Sequence, residues 1–241
     1  MAIQFKTYNG LPRWLTALIE VFLCSGVPTQ FSLGIILVII GWPATNPDGS
    51  LSLVYICTLA LTDMVLLIGL MIWLMRLHGE SISRLWLGSR SIMTEVFLGL
   101  LWIPLLLIAV ATLLYIIRTI TPELHNVIEN PLEQLLHTTG GAIAFGFVAI
   151  LAGGVREELQ RAFLLNRFEQ HLGGPVIGVV LISIGFGLGH LAQGWDAVLT
   201  TGTMGLFWAV VYLRRRSSVA PIVSHAGFNA LGIIRSVLMS Q

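Results

Sequence analysis

Residues 93–117 read MTEVFLGLLWIPLLLIAVATLLYII, a run in which Glu95 is the one charged side chain. A bilayer's hydrocarbon core is crossed by about 20 predominantly apolar residues in a helix, so this run is long enough to span and too apolar to sit on a water-soluble surface. Comparable runs lie at about 14–42, 51–76, 138–165, 174–192, 196–213 and 218–238. The expected fold is therefore all-α: a polytopic membrane helical bundle of about seven transmembrane helices in a lipid bilayer. Composition agrees, since 56% of the 241 residues are hydrophobic and 10% charged, against roughly 45–50% and about 25% in soluble domains. The first run is the least regular, because Glu20 and Val27-Pro28-Thr29-Gln30 interrupt it and proline removes a helical hydrogen bond. It is either a kinked span or an interfacial helix followed by a short one.

Charge narrows the function. Thirteen Lys and Arg stand against twelve Asp and Glu, so no basic surface is available to neutralise nucleic acid phosphates, and no nucleic acid partner is expected. Cys24 and Cys57 both lie in apolar runs, which leaves no disulfide framework and no thiolate zinc site. The polar start, MAIQFKTYNGLPR, has no apolar signal core and reads as mature sequence. Short cytoplasmic loops collect Lys and Arg. Here Lys6 and Arg13, then Arg76, Arg84 and Arg90, then Arg156, Arg161 and Arg167, then Arg214, Arg215 and Arg216 fall on one side, with Arg118 and Arg235 on the other. The N-terminus is expected in the cytoplasm and the C-terminus outside. The outer connections, GWPATNPDGS and TITPELHNVIENPLEQ, hold turn-forming residues and no Lys or Arg.

No internal repeat appears, nor the paired interrupted helices of many secondary transporters. Composition nonetheless shifts along the chain, with Gly140, Gly141, Gly153, Gly154, Gly185, Gly187 and Gly189 crowding the later spans. Small residues let membrane helices approach closely. Residues 1–137 are accordingly expected to form N-terminal spans one to three with their loops, and 138–241 a tightly packed catalytic core of spans four to seven.

Ionisable residues inside a membrane are costly and face a bundle interior or a water cavity. The candidates on this ground are Glu20, Asp63, Glu95, Glu157, Glu158, Arg161, His190 and His225, with Asn229 as a neutral companion. Glu157 and Arg161 are four apart, as are His225 and Asn229, and such pairs share a helix face. With a hairpin turn at Gly173-Gly174-Pro175, Glu157 and His190 come level about 24 Å above it, and His225 stands roughly 13 Å above its own turn after Arg216. The hairpin must then protrude, carrying Arg161, Asn166, Arg167, Glu169, Gln170 and His171 toward water. The bland alternative makes REELQR and RFEQ a solvated helix end.

A buried carboxylate beside a histidine can act as general base on water, and a second histidine with Asn229 can stabilise an oxyanion. Glu157, His190 and His225 could equally be three ligands of one divalent metal such as zinc. The sequence leaves both open. HExxH is absent, Asp63 has no second intramembrane aspartate, and no serine sits in a Gly-Ser elbow, which removes the common zinc-protease helix and the aspartate dyad. Rival classes are a proton-coupled transporter component, using Glu157, His190 and His225 as a relay, and a non-catalytic membrane scaffold or immunity protein.

Glu157-Glu158 with Arg161, Phe186-Gly-Leu-Gly-His190 and His225-Ala-Gly-Phe-Asn229 resemble the glutamate pair with arginine, the FxxxH and the HxxxN motifs of the CPBP family of intramembrane proteases, which includes the CAAX prenyl endopeptidases and bacterial Abi proteins. The resemblance covers about residues 139–235. It implies an intramembrane endopeptidase in which Glu and His activate water while the second His and Asn support the oxyanion, with Glu157, Glu158, Arg161, His190, His225 and Asn229 as site residues. It also implies a membrane-associated peptide or prenylated protein as substrate, and a metal that the mechanism does not strictly require. The family pattern reads EExxxR, whereas Glu157-Glu158-Leu159-Gln160-Arg161 is one residue shorter. The i,i+4 relation to Arg161 favours Glu157 as the base.

Overall fold

The computed structural model describes residues 11–239; Lys6 and the polar stretch 1–10 lie outside them. The regular secondary structure of the described residues is helical, with one isolated bridge between Thr45 and Leu51 in the connection that follows α2 in sequence. The expected all-α bundle is what forms.

The irregular first run is two helices, α1 (Arg13–Leu23) and α2 (Val27–Ile39). Gly26, at φ 87°, makes the break, and Pro28 lies in the first turn of α2, where its missing N–H costs nothing. Next come α3 (Leu53–Leu77), short α4 (Ile82–Trp86) and α5 (Ile92–Ile120), the last carrying Pro104 within it. Two 3-10 turns, Pro122–Leu124 and Pro131–Leu136, lead to α6 (Thr139–Val148). The Thr138 hydroxyl caps α6 by accepting from Gly141 N at 3.0 Å. α6 runs on through a π-helical segment, Ala149–Arg156, into α7 (Glu157–His171). The chain returns through α8 (Pro175–Leu188), a 3-10 turn, α9 (Trp195–Arg215) and α10 (Val219–Met239).

Six of these stretches are long and apolar enough to cross a membrane, α1 and α2 counting together. The expected fifth span, 174–192, is shorter. α8 has 14 residues, about 21 Å against a core of about 30 Å, because the chain leaves the helix at Gly189 and turns through Leu191–Gln193. The turn before it is as expected: Gly173 and Gly174 sit at φ 86° and 100°, a region that side chains avoid.

α7 is the central helix. Its Ala162, Phe163 and Leu165 pack with Leu67, Met71 and Met75 of α3 and Ala209 and Tyr212 of α9 in one buried cluster. Trp86 of α4 donates its indole N–H to the Leu159 carbonyl at 3.1 Å. This corrects the solvated helix end. Arg161 and Arg167 are each 2% exposed, since every guanidinium here finds a carboxylate: Arg167 lies between Glu20 and Glu80. Near the end of α7 Arg216 forks onto Glu169, with Nη2 to Oε1 at 2.7 Å. The Glu169 carboxylate holds the Arg216 guanidinium above its ordinary basicity.

Candidate active site

The site forms where the start of α7 faces α8, α9 and α10. Glu157 and Glu158 are adjacent, so their side chains leave the helix about 100° apart. Glu158 points inward and is 1% exposed. Arg161, at i+3, grips it with a bidentate fork, Nε to Oε2 at 3.0 Å and Nη2 to Oε1 at 3.1 Å. The expected i,i+4 pairing of Glu157 with Arg161 is therefore replaced by Glu158 with Arg161. Helical spacing allows both, and burial selects the glutamate on the face turned toward the later helices.

His225 of α10 completes this inner shell. Its Nδ1 lies 2.8 Å from Glu158 Oε1. A carboxylate gripped by arginine accepts, so Nδ1 carries the hydrogen and donates, and Nε2 is turned away from Glu158. That Nε2 faces Glu157, whose Oε2 is 3.9 Å away. Glu157 keeps a 24% exposed side chain, and among the described residues no arginine pairs with it. Trp208 of α9 stacks on the His225 ring, with centroids 3.9 Å apart and planes at 15°, while its indole N–H donates to Ser224 Oγ at 3.0 Å. The imidazole is thus held in plane by an aromatic face and in rotation by Glu158.

Phe186 of α8 links the second histidine to this group. Its ring centre lies 5.1 Å from that of His190 and 6.0 Å from that of His225, and the Arg161 guanidinium sits over it at 4.7 Å. His190 Nδ1 lies 2.9 Å from the Phe186 carbonyl. A carbonyl only accepts, so this ring too presents Nε2. The FxxxH spacing has a local cause: the histidine closes back on the carbonyl one turn earlier, just past the end of α8. Asn229, one turn beyond His225, donates Nδ2 to the Ala149 carbonyl at 3.0 Å and so joins α10 to the π-helical segment. One of its two amide hydrogens remains.

Among the described residues no three His, Cys, Asp or Glu are grouped closely enough to hold an ion. Sequence reasoning missed Trp208 and Ser224, which lie in ordinary-looking apolar runs. The one available signal was a tryptophan deep within a span, away from the interfacial belts where membrane tryptophans gather.

Residues 138–231 match the model of a family described as Rce1-like, type II CAAX prenyl endopeptidase. No curated protein and no solved structure matches the chain. The matched segment contains Glu157, Glu158, Arg161, Phe186, His190, Trp208, His225 and Asn229. Through residues 138–231, the chain is similar to the family described as Rce1-like, type II CAAX prenyl endopeptidase.

Proposed function

We propose that this protein is an intramembrane endopeptidase that hydrolyses a peptide bond of a membrane-associated substrate with water held between Glu157 and His225. The observation carrying this is the ordered set Arg161, Glu158, His225, Glu157: an ion pair fixes a carboxylate, the carboxylate fixes the histidine ring through Nδ1, and Nε2 faces a second carboxylate that no arginine holds. A separation of 3.9 Å is long for a direct hydrogen bond but admits a water about 2.8 Å from each atom. Glu157 takes a proton from that water as its oxygen adds to the scissile carbonyl carbon. The proton then goes to the leaving nitrogen as the C–N bond breaks, and Glu157 is restored. His225, anchored by Glu158 and Trp208, orients the water. His190 and the remaining amide hydrogen of Asn229 are assigned to oxyanion support.

The family's description points to a CAAX-type prenylated protein as substrate, and a site among membrane helices suits a chain end delivered by a lipid anchor. The test is cleavage of prenylated and unprenylated peptide reporters by purified protein in nanodiscs. Glu157→Gln and His225→Gln are each expected to lower kcat by about 10²–10⁴-fold. Cleavage is expected to persist in chelator, because the donors do not converge as a metal requires. Loss of cleavage together with loss of one metal equivalent would assign zinc to Glu157, His190 and His225 instead. A wild-type protein that cuts no reporter would return the chain to the scaffold reading.

A further inference from the structure

A π-helical segment of eight residues, Ala149–Arg156, ends immediately before Glu157. Such geometry is rare and usually confined to a single turn, so something must hold it. At its start Asn229 holds the Ala149 carbonyl, and in its middle Gly154 lets α10 close in. At its end stands Arg156, which is 7% exposed. Its Nη1 donates to Gln160 Oε1 at 3.0 Å, and its Nη2 meets the carboxylate of Asp63.

Asp63 lies on α3, outside the segment that carries the family motifs, and has no exposure. Besides Arg156 it accepts from the Thr29 hydroxyl and from Gln30 Nε2 at 3.2 Å, both in α2. Gln160 continues the network, donating to the Cys24 carbonyl at 2.6 Å, at the break between α1 and α2. A fully buried aspartate is thus satisfied on both oxygens, and every bond leads to the break in the first span or to the residue preceding Glu157. Fixing the Arg156 side chain fixes the rotation of the first turn of α7, since each residue along it turns 100°. That rotation decides which glutamate goes inward to Arg161 and which faces His225.

We propose that Asp63 is a positioning residue for this hydrolysis: through Arg156 it holds the π-helical segment and thereby sets Glu157 opposite His225 Nε2. The inference rests on the reading of Glu157 and His225 as the reacting pair, and its test includes an arm that needs no turnover. The variant is Asp63→Asn combined with Arg156→Gln, which removes both charges so that neither is left buried alone. Measured on a reporter that the wild-type protein cleaves, kcat is expected to fall about 10–100-fold, the scale of a misplacement near 1 Å, with KM within about twofold. In protein labelled with 15N-histidine, the His225 ring signals, assigned by their loss in His225→Gln, are expected to shift toward a mixed tautomer. Those of His125, in the outer connection, stay in place.

Unchanged kcat with unmoved His225 signals overturns the proposal, even where the variant melts earlier, because earlier melting alone is what a purely structural ion pair predicts. Should the double variant fail to fold, Asp63→Glu keeps the charge and lengthens the side chain by one methylene. A lowered kcat at constant KM then supports the positioning role, and wild-type kcat overturns it. Should wild-type protein cleave no reporter, the proposed function fails by itself, and the His225 signals alone decide whether Asp63 sets the geometry around α7.

Discussion

Glu157 and Glu158 share a residue type and neighbouring positions, yet their surroundings assign them opposite work. Glu158 is buried against Arg161 and His225; Glu157 is partly open and has only the distant His225 Nε2. Glu158→Gln leaves Arg161 as a buried cation without its partner, a loss of about 3–5 kcal/mol, and lets the His225 ring rotate. It is expected to lower both the unfolding midpoint in detergent and kcat. Glu157→Gln removes no ion pair with arginine and should change stability by no more than about 0.5 kcal/mol while abolishing cleavage. Thermal melts read beside kinetics separate the two, and a Glu157→Gln protein with full activity would move the base elsewhere. The glutamates, both histidines and the asparagine were legible because ionisable residues in apolar runs are conspicuous. Their pairing was not, since i,i+3 and i,i+4 are equally allowed on an isolated helix and only the positions of α8, α9 and α10 choose between them.

The decisive element is the π-helical segment, and the glycines within it show why α10 can reach the site. A Cβ on Gly154 would lie 2.6 Å from Ala226 Cβ and 2.7 Å from its Cα, and one on Gly153 would lie 2.7 Å from Asn229 Nδ2. Backbone cannot yield as a flexible side-chain end can. Gly154→Ala is therefore expected to push α10 away, carrying His225 from Glu158, and to cost activity and stability together. Gly140→Ala, at an exposed helical position with nothing within 4 Å, should be neutral or stabilising by up to about 1 kcal/mol. Equal effects of the two substitutions on melting and cleavage would show that the close approach of α10 is not what holds the site. The density of glycine in the later spans was readable as close packing, but the π-helical stretch was not. Its hydropathy pattern differs too little from an α-helix, and what sustains it are Asn229 and Asp63, which lie 80 and 93 residues from Ala149 and Arg156.

Across the whole molecule, the carboxylates of the early spans turn out to be anchors. Glu20 of α1 pairs with Arg167 of α7, Asp63 of α3 with Arg156, and Glu95 of α5 with Arg215 of α9. Each binds an early span to the segment carrying the family motifs, and pairing offsets the cost of a charge in a membrane. The same pairing accounts for an exception in the charge distribution. At one end of the bundle the loops rich in arginine meet: Arg90 donates Nε to the Arg215 carbonyl at 3.2 Å, and Gly88 packs against the Arg216 backbone. At the other end Arg118 faces Asp196 at 2.9 Å, a carboxylate shared with His125, so one of the two basic residues placed against the trend is neutralised.

Short loops rich in Lys and Arg stay in the cytoplasm, so the Arg90 and Arg215 end is expected there. The passes alternate from α1/α2 through α3, α5, the continuous α6 to α7 path, α8, α9 and α10, with α8 turning back between two glycines and a 3-10 turn. With α8 counted as a pass beside the six longer stretches, seven passes would put the chain ends on opposite faces. Reporter fusions are expected to show the N-terminus in the cytoplasm and the C-terminus outside. Both reporters on one face would mean that α8 does not cross as a pass, and it would move His190 relative to the bilayer. Arg118→Glu leaves the Arg90 and Arg215 end untouched and should preserve the orientation. Introducing arginines into the 41–50 connection, which holds none, adds unpaired charge at the outer end and should produce mixed topologies; an orientation indifferent to those arginines would show that the internal ion pairs, rather than the loop charges, set how the bundle inserts.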